Sequence, residues 1–300
     1  YVLGGHMKKG LLLTLLGGTC WGFSGACGQY LFNHYQVSSF WLASMRMCFA
    51  GLLLSVTAMI VAREPLIKML HNYHDVIECL IFGVCGLAFC QITYLQAIKY
   101  SNAGTATVLQ YLYPVMIMVL VCIKTQKLPT KVEVLCVCLA IGGTFVIATH
   151  GHPTNMALSK EGLIWGLISA VSCCFYTLLP RRLMGIYGSI PVTGIGMLGG
   201  GLFTLIVFRT PTLYRPLDMN GLIATAAIII VGTTLAYTMY LQGVKDIGPV
   251  RASMVASIEP VSAASFACLW LKTPFAGLDL IGFAMIITTI FLLAVKPEEE

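Results

Sequence analysis

Charged side chains are scarce in this chain. Only 10% of its 300 residues are Asp, Glu, Lys or Arg, whereas 58% are hydrophobic and the mean hydropathy is +0.86. Soluble domains carry about 25% charged residues. A soluble fold of this composition would have no polar coat, so the sequence excludes an ordinary soluble domain and predicts an all-α integral membrane protein.

Patterns that indicate other protein classes are also missing. The apolar runs do not alternate with a period of two, which argues against a transmembrane β-barrel. Lysines and arginines are scattered, without a basic patch interleaved with aromatic residues, so nucleic acid is not an expected partner. The sequence has no nucleophile elbow, phosphate-binding loop or zinc-protease motif, and we therefore expect neither an enzyme nor a cofactor.

The cysteines and histidines do not have the spacing of a metal site. Most of the 12 cysteines lie inside apolar runs, where a free thiol behaves as a small hydrophobic group. The pair Cys136-x-Cys138 lacks the second pair that a zinc site needs. We expect no metal, and we interpret four histidines as solvated loop residues: His71, His74, His150 and His152.

The chain divides into ten apolar runs, each about long enough to cross a bilayer as a helix. We number them as spans one to ten, at residues 10–32, 40–62, 76–98, 103–123, 132–149, 162–180, 190–208, 221–244, 250–271 and 276–295. Residues 1–6 are interpreted as an expression remnant, with Met7 as the native start, and residues 297–300 as an acidic tail.

The distribution of basic residues predicts the orientation of these spans. With the N-terminus in the cytoplasm, 12 of the 18 Lys and Arg residues lie in cytoplasmic segments, five lie in external segments, and Arg46 lies within span two. Cytoplasmic segments of membrane proteins carry an excess of Lys and Arg. We therefore predict a multi-pass protein of the cytoplasmic membrane with both termini inside the cell.

One stretch of the sequence occurs twice. "YLQAIKYSNAGTATVLQYLYPV" starts at Tyr94 and "YLQGVKDIGPVRASMVASIEPV" starts at Tyr240, and seven of their 22 aligned positions are identical. The first copy joins spans three and four, and the second joins spans eight and nine. Each half would then hold five spans, an odd number, so the halves 7–149 and 150–296 are predicted to form an inverted repeat, as in many secondary transporters.

Ten spans in two halves, with "TCWGFSG" at Thr19–Gly25, "MRMCFAGLLL" at Met45–Leu54 and the duplicated stretch, resemble the EamA-type branch of the drug/metabolite transporter superfamily. The resemblance covers essentially the whole chain. It implies a proton-linked or facilitative carrier, often an exporter of amino acids or similar metabolites.

Two charged residues lie well inside predicted spans. Glu259 is near the middle of span nine, and Arg46 lies in span two. A charge at the bilayer centre is costly and needs a partner or a wet cavity. We interpret both as coupling residues, with Glu259 also binding a cationic group of the substrate or a proton. The alternatives are that Glu259 is structural and that Arg46 snorkels to the outer interface.

Polar and aromatic residues within the spans predict a central cavity lined by tyrosine rings, amides and hydroxyls. Such a lining suits a small aromatic or amphipathic solute. Besides Glu259, the candidate substrate-binding residues are Trp21, Gln91, Tyr94, Gln110, Tyr111, Tyr176, Tyr237 and Tyr240. Pro114 and Pro260 occupy equivalent places in spans four and nine, where a helix kink could act as a gate.

The sequence thus predicts a secondary transporter, acting as an exporter, that moves a small metabolite such as an amino acid by alternating access. The alternatives are a non-transporting receptor or scaffold, and an uptake permease or channel for a nucleotide-like or cationic solute. The expected partners are a small-molecule substrate, the lipid bilayer and, through coupling, protons. The sequence does not indicate an oligomeric state.

The first prediction concerns topology. A reporter protein that works only in the cytoplasm should be active when it is fused after Lys296, because the distribution of Lys and Arg retains that end inside the cell. A paired fusion of an externally active reporter, such as a periplasmic phosphatase, at the same position is the control. Activity of the phosphatase fusion would contradict the predicted orientation.

Overall fold

The structure is a computed structural model that describes residues 2–126, 128–150, 158–247, 252 and 255–295. The described residues form helices and connecting turns, without a β-strand. We label the α-helices of the N-terminal half α1 (Val2–Tyr35), α2 (Ser39–Val61), α3 (Arg63–His71), α4 (Tyr73–Ile81), α5 (Phe89–Tyr100), α6 (Ala103–Gln110), α7 (Tyr113–Thr125) and α8 (Lys131–Thr149).

The C-terminal half contains α9 (Lys160–Leu178), α10 (Arg181–Tyr187), α11 (Ser189–Val207), α12 (Met219–Ile229), α13 (Ala236–Ile247), α14 (Ile258–Leu269) and α15 (Gly277–Val295), with a 3₁₀ turn at Thr210–Leu213. The predicted acidic tail 297–300, His152 and part of predicted span nine lie outside the described residues.

Eight helical stretches among the described residues are long and apolar enough to cross a membrane, and Ile258–Leu269 and Gly277–Thr289 are shorter apolar helices. The chain is therefore a multi-pass, all-helical membrane protein. In the part of the chain that the structure describes, the eight long stretches coincide with predicted spans one to eight. The two shorter helices fall within predicted spans nine and ten.

One expected loop is helical. The polar segment after span two forms α3 and the start of α4, so His71 and His74 lie in short helices. Asn72 separates them and accepts a hydrogen bond from the backbone N–H of His74. An Asn side chain that satisfies a free N–H is a typical helix start, and it explains why a polar segment can nevertheless be helical.

Spans three and eight each contain a π-helical segment between two α-helices. The first π segment is Phe82–Ala88, between α4 and α5, and the second is Ile230–Leu235, between α12 and α13. They lie at nearly equivalent positions when the two copies of the duplicated stretch are aligned. A π turn widens the helix and frees backbone groups, and such turns occur often at functional sites.

Span four is broken at its proline. α6 ends at Gln110, and α7 begins at Tyr113 with Pro114 in its first turn. Proline is tolerated there because the first N–H groups of a helix have no intrahelical partner. Pro260 likewise lies in the first turn of α14. The sequence had led us to expect a kink within a continuous helix. Both prolines instead lie in the first turn of a new helix, after an interruption.

The helices pack in matching pairs across the two halves. α1 packs against α13 and α14, while α9 packs against α5 and α6. The remaining large contacts join α2 to α11, α8 to α15 and α6 to α14. The cavity described below lies among these helices.

Close approach of α11 to the first π segment depends on glycine. A Cβ atom on Gly200 would lie 2.2 Å from the carbonyl oxygen of Gly83, and one on Gly83 would lie 2.3 Å from the carbonyl oxygen of Gly196. Both obstacles are backbone atoms, which cannot move aside as a flexible side chain can. Small residues allow this kind of close contact between membrane helices.

We therefore predict that Gly200→Ala destabilises the protein by about 1–3 kcal/mol, the usual cost of overpacking a well-packed interior. The measurement is the thermal unfolding midpoint of the detergent-purified protein. Gly185→Ala is the matched control, because a Cβ atom there meets nothing within 4 Å. Equal midpoints for the two variants would show that α11 does not depend on this contact.

Candidate functional site

A cavity of about 150 Å³ lies at the centre of the helical bundle. It is lined by side chains from both halves of the chain, and they include every candidate substrate-binding and coupling residue that the sequence predicts: Trp21, Arg46, Gln91, Tyr94, Gln110, Tyr111, Tyr176, Tyr237, Tyr240 and Glu259. The two prolines, Pro114 and Pro260, are not in the lining and lie at the adjacent helix starts.

Arg46 points into the protein and does not snorkel to the interface. Its side chain is buried, and its Nε donates a hydrogen bond to Thr233 Oγ1 at 2.8 Å. Its Nη2 donates to the carbonyl oxygen of Gly232 at 3.2 Å. Both acceptors belong to the second π segment, so a residue of the N-terminal half is held by the C-terminal half.

Glu259 also lines the cavity, where Tyr111 donates a hydrogen bond from its hydroxyl to Glu259 Oε2 at 2.9 Å. Tyr237 and Tyr240 contribute to the same lining, but the hydrogen-bond partner of this carboxyl group is Tyr111, next to the break between α6 and α7. Glu259 belongs to the C-terminal half and Tyr111 to the N-terminal half, so this hydrogen bond also joins the two halves.

Arg46 and Glu259 do not form a salt bridge with each other, although both line the cavity. The cavity therefore presents one guanidinium and one carboxyl group that are not paired with each other. A charged group in a low-dielectric site gains much from a ligand of opposite charge, since water cannot compensate for its isolation.

Aromatic rings form one wall of the cavity. The ring of Trp21 lies 5.2 Å from that of Tyr237 in an edge-on arrangement and 5.1 Å from that of Tyr240. The hydroxyl groups of Tyr176 and Tyr237 are hydrogen-bonded at 3.0 Å. Aromatic pairs of this kind are rigid and apolar yet offer hydroxyl groups to a ligand.

The amide and hydroxyl groups on the opposite side are largely engaged with the protein. Gln110 donates from Nε2 to Ser169 Oγ at 2.8 Å, which again joins the two halves. Tyr94 and Thr107 share a hydrogen bond of 2.7 Å between their hydroxyl groups. These bonds fix the positions of the lining groups before any ligand arrives.

Five further lining residues were not among our candidates: Leu87, Cys90, Tyr113, Cys173 and Ala256. Tyr113 could have been found, because it aligns with Glu259 in the duplicated stretch. The other four carry no polar signal that distinguishes them from residues facing lipid, so sequence reasoning could not select them.

A polar contact links α1, the start of α6 and the segment after α14. Gln29, near the end of α1, accepts a hydrogen bond from the backbone N–H of Ala103 at 2.8 Å and donates one to Thr273 Oγ1 at 2.8 Å. A single buried amide thus ties α1 to the start of α6 and to the segment after α14. Gly104 of α6 also packs closely on Ala264 of α14.

Comparison with known proteins places the chain in a class. Residues 8–149 and 160–295 each match the EamA-like transporter family. The fold and these matches together define a multi-pass membrane transporter. The chain belongs to the EamA-like transporter family.

Relatives agree with this assignment. The uncharacterized inner membrane transporter YicL of Salmonella typhimurium is 34% identical over 99% of this chain and 98% of its own length. An uncharacterized transporter of Archaeoglobus fulgidus is 23% identical over 97% of this chain and its whole length. A protein crystal structure with 16% identity superposes with a TM-score of 0.59 over 96% of each chain, which supports the fold alone.

The cavity generates a prediction about thiol accessibility. Cys90 and Cys173 line it, whereas Cys27 and Cys136 are sealed in packed cores, 1% and 0% exposed. In variants that retain a single cysteine, a small hydrophilic methanethiosulfonate reagent should modify Cys90 in the native protein. It should modify Cys136 only after unfolding, because the reaction needs water and an ionised thiol. Equal resistance of both thiols would mean that water does not enter the cavity.

Proposed function

We propose that the protein is a secondary transporter that exports a small organic metabolite, with an α-amino acid as the first candidate, by alternating access. The observation that carries the proposal is the cavity itself, in which Arg46 and Glu259 stand apart among aromatic rings. A zwitterionic amino acid has one group for each: its carboxylate for Arg46 and its ammonium group for Glu259. The Trp21, Tyr237 and Tyr240 rings would contact its side chain.

The size of the cavity agrees with a small solute. Pockets for drug-sized ligands measure roughly 300–1,000 Å³, and this cavity measures about 150 Å³. The export direction rests on the resemblance to exporters of the family.

An inverted repeat is the architecture that we propose for the movement. Support comes from the equivalent π segments, the equivalent helix breaks before Pro114 and Pro260, and the separate match of each half to the same family. The matching packing pairs of helices agree with a twofold relation between the halves. In such folds the substrate is held near the midplane and one half rocks against the other.

Two tyrosine–carboxylate contacts also support the inverted repeat. Tyr187, at the end of α10, donates a hydrogen bond to Asp75 at 2.6 Å, and Tyr35, at the end of α1, donates one to Asp218. Each contact joins the end of the first span of one half to the start of the third span of the other. The hydrogen bonds from Tyr35 and from the Gly221 N–H hold the pKa of Asp218 below its ordinary value.

Reconstitution in liposomes tests the proposal. The purified protein should catalyse saturable exchange of labelled amino acids across the bilayer, and a pH gradient should change the rate if protons are coupled. A receptor would bind without flux, an enzyme would change the compound, and a channel would show no saturation. Flux with a preference for loading from the cytoplasmic face would support export, and the opposite preference would support uptake.

Glu259→Gln refines this test, because it keeps the shape and hydrogen bonding of the side chain but removes its charge. We expect the variant to fold normally. It should lose the pH dependence of transport, or its preference for substrates with an ammonium group should fall about tenfold, which is the contribution of one charge-assisted hydrogen bond. Glu161→Gln, in the exposed first turn of α9, is the matched control. An unchanged pH profile and selectivity would assign Glu259 a structural role only.

A further inference from the structure

A second polar cavity lies away from the transport site, at the end of the bundle where α2 begins and α5 ends. This interfacial groove has a volume of about 750 Å³ and lies between the start of α2, the end of α5 and the segment that follows α11. Ser39 and Tyr100, which contribute to its lining, are the first and last residues of two membrane spans. The groove is therefore at the level where lipid headgroups meet the protein.

The charges of the interfacial groove have one sign. Lys99 and Arg215 line it, and the described residues of the lining include no acidic side chain. Neither cation belongs to an ion pair among the described residues, and the ammonium of Lys99 lies over the ring of Tyr100, 5.7 Å from its centroid. Two cations without an acidic partner in one groove favour an anionic ligand.

The N-terminus of α2 adds to this preference. Ser38, Ser39 and Phe40 line the groove, and the side chain of Ser38 makes no capping hydrogen bond. The starts of α6, α8, α9 and α12, by contrast, are each capped by a side chain. The first N–H groups of this 23-residue helix thus remain available, and together with the helix dipole they form a site that favours phosphate.

A buried acceptor in the same groove points to a ligand that also donates. Gln96 is 8% exposed and contributes to the lining, yet its Oε1 is itself buried and has no hydrogen-bond partner. A buried polar atom without a partner costs free energy, so this amide needs a donor from outside the protein. The phosphodiester of a lipid is ionised at neutral pH and carries no O–H, so the donor must come from another part of the headgroup.

The surroundings identify the source of such a ligand as the membrane. Phe208 and Tyr214 line the groove, and Phe208 directly follows Val207, the end of a helix whose Leu202 and Ile206 are exposed. In a membrane protein, exposed apolar residues on a span face lipid chains. A phospholipid could thus place its headgroup in the groove and its acyl chains along α11.

We infer that the interfacial groove binds the headgroup of a phospholipid whose headgroup carries a hydrogen-bond donor, as phosphatidylethanolamine does. The phosphate lies at the N-terminus of α2 with Lys99 and Arg215, and the ammonium group donates to Gln96 Oε1 once the amide rotates to present that oxygen to the groove.

Binding of short-chain lipids to the purified, partly delipidated protein tests this site. The probes are dihexanoyl phosphatidylethanolamine, dihexanoyl phosphatidylcholine, whose quaternary ammonium has no N–H donor, and inorganic phosphate. The ethanolamine lipid should bind about tenfold more tightly than the choline lipid, and inorganic phosphate should not compete at comparable concentration. Competition by inorganic phosphate at the same concentration would overturn the lipid assignment in favour of a soluble anion.

Variants separate the two parts of the site. The double variant Lys99→Gln, Arg215→Gln should bind both lipids about a hundredfold more weakly, because each charge-assisted bond contributes about tenfold in affinity. Lys160→Gln with Arg209→Gln, which removes the same charge from residues outside the groove, should change neither. Gln96→Leu should lower the affinity for the ethanolamine lipid to that for the choline lipid. Wild-type affinity in the Lys99/Arg215 double variant, or retained discrimination in Gln96→Leu, would overturn the inference.

Discussion

The absence of water inside a bilayer is the constraint on which this structure depends. Every backbone N–H and carbonyl group must find a partner within the protein, which is why the described spans are built from helical segments. The same constraint makes Arg46 informative, because its guanidinium is buried and still needs acceptors. The second π segment supplies them, since the carbonyl of Gly232 and the hydroxyl of Thr233 accept hydrogen bonds from Arg46.

The π segments explain how a span can remain helical and still serve a polar site. In a π turn the Thr233 hydroxyl donates to the carbonyl of Ile228, five residues back, and Thr234 makes the same bond to Ile229. Threonine hydroxyl groups thus serve carbonyls of the preceding turn, while the Gly232 carbonyl accepts from Arg46. Gly232 also packs against Ser24 of α1 so closely that a Cβ atom would lie 2.2 Å from the serine Cβ.

Much of the fold and of the cavity lining could be predicted from the sequence, for a simple physical reason. Polar residues such as Gln91, Gln110 and Glu259 are costly in lipid, so they had to face a common interior, and they do. The sequence could not supply the partner of Glu259, because several tyrosines lie at compatible heights and only the break between α6 and α7 brings Tyr111 to it.

Other features depend on backbone geometry that side-chain patterns do not encode. Pro114 predicts an irregularity in span four, but a kink and a break begin with the same residue, and only packing decides between them. Cys90 and Cys173 look like any apolar residue of a span until the positions of their neighbours are known. The helical character of α3 was likewise hidden, because its polar composition is also typical of a loop.

In the proposed transport cycle, Arg46 and Glu259 link ligand binding to the relation between the halves. Arg46 is held by the C-terminal half, and Glu259 by Tyr111 of the N-terminal half, so both hydrogen bonds cross between them. Breaking such a bond without replacement would leave a buried charge unsatisfied, at a cost of several kcal/mol. A zwitterionic ligand can replace Thr233 and Tyr111 as partners, group for group. In the proposed cycle the empty protein is therefore held in one arrangement by these bonds, and the substrate lowers the barrier to the other.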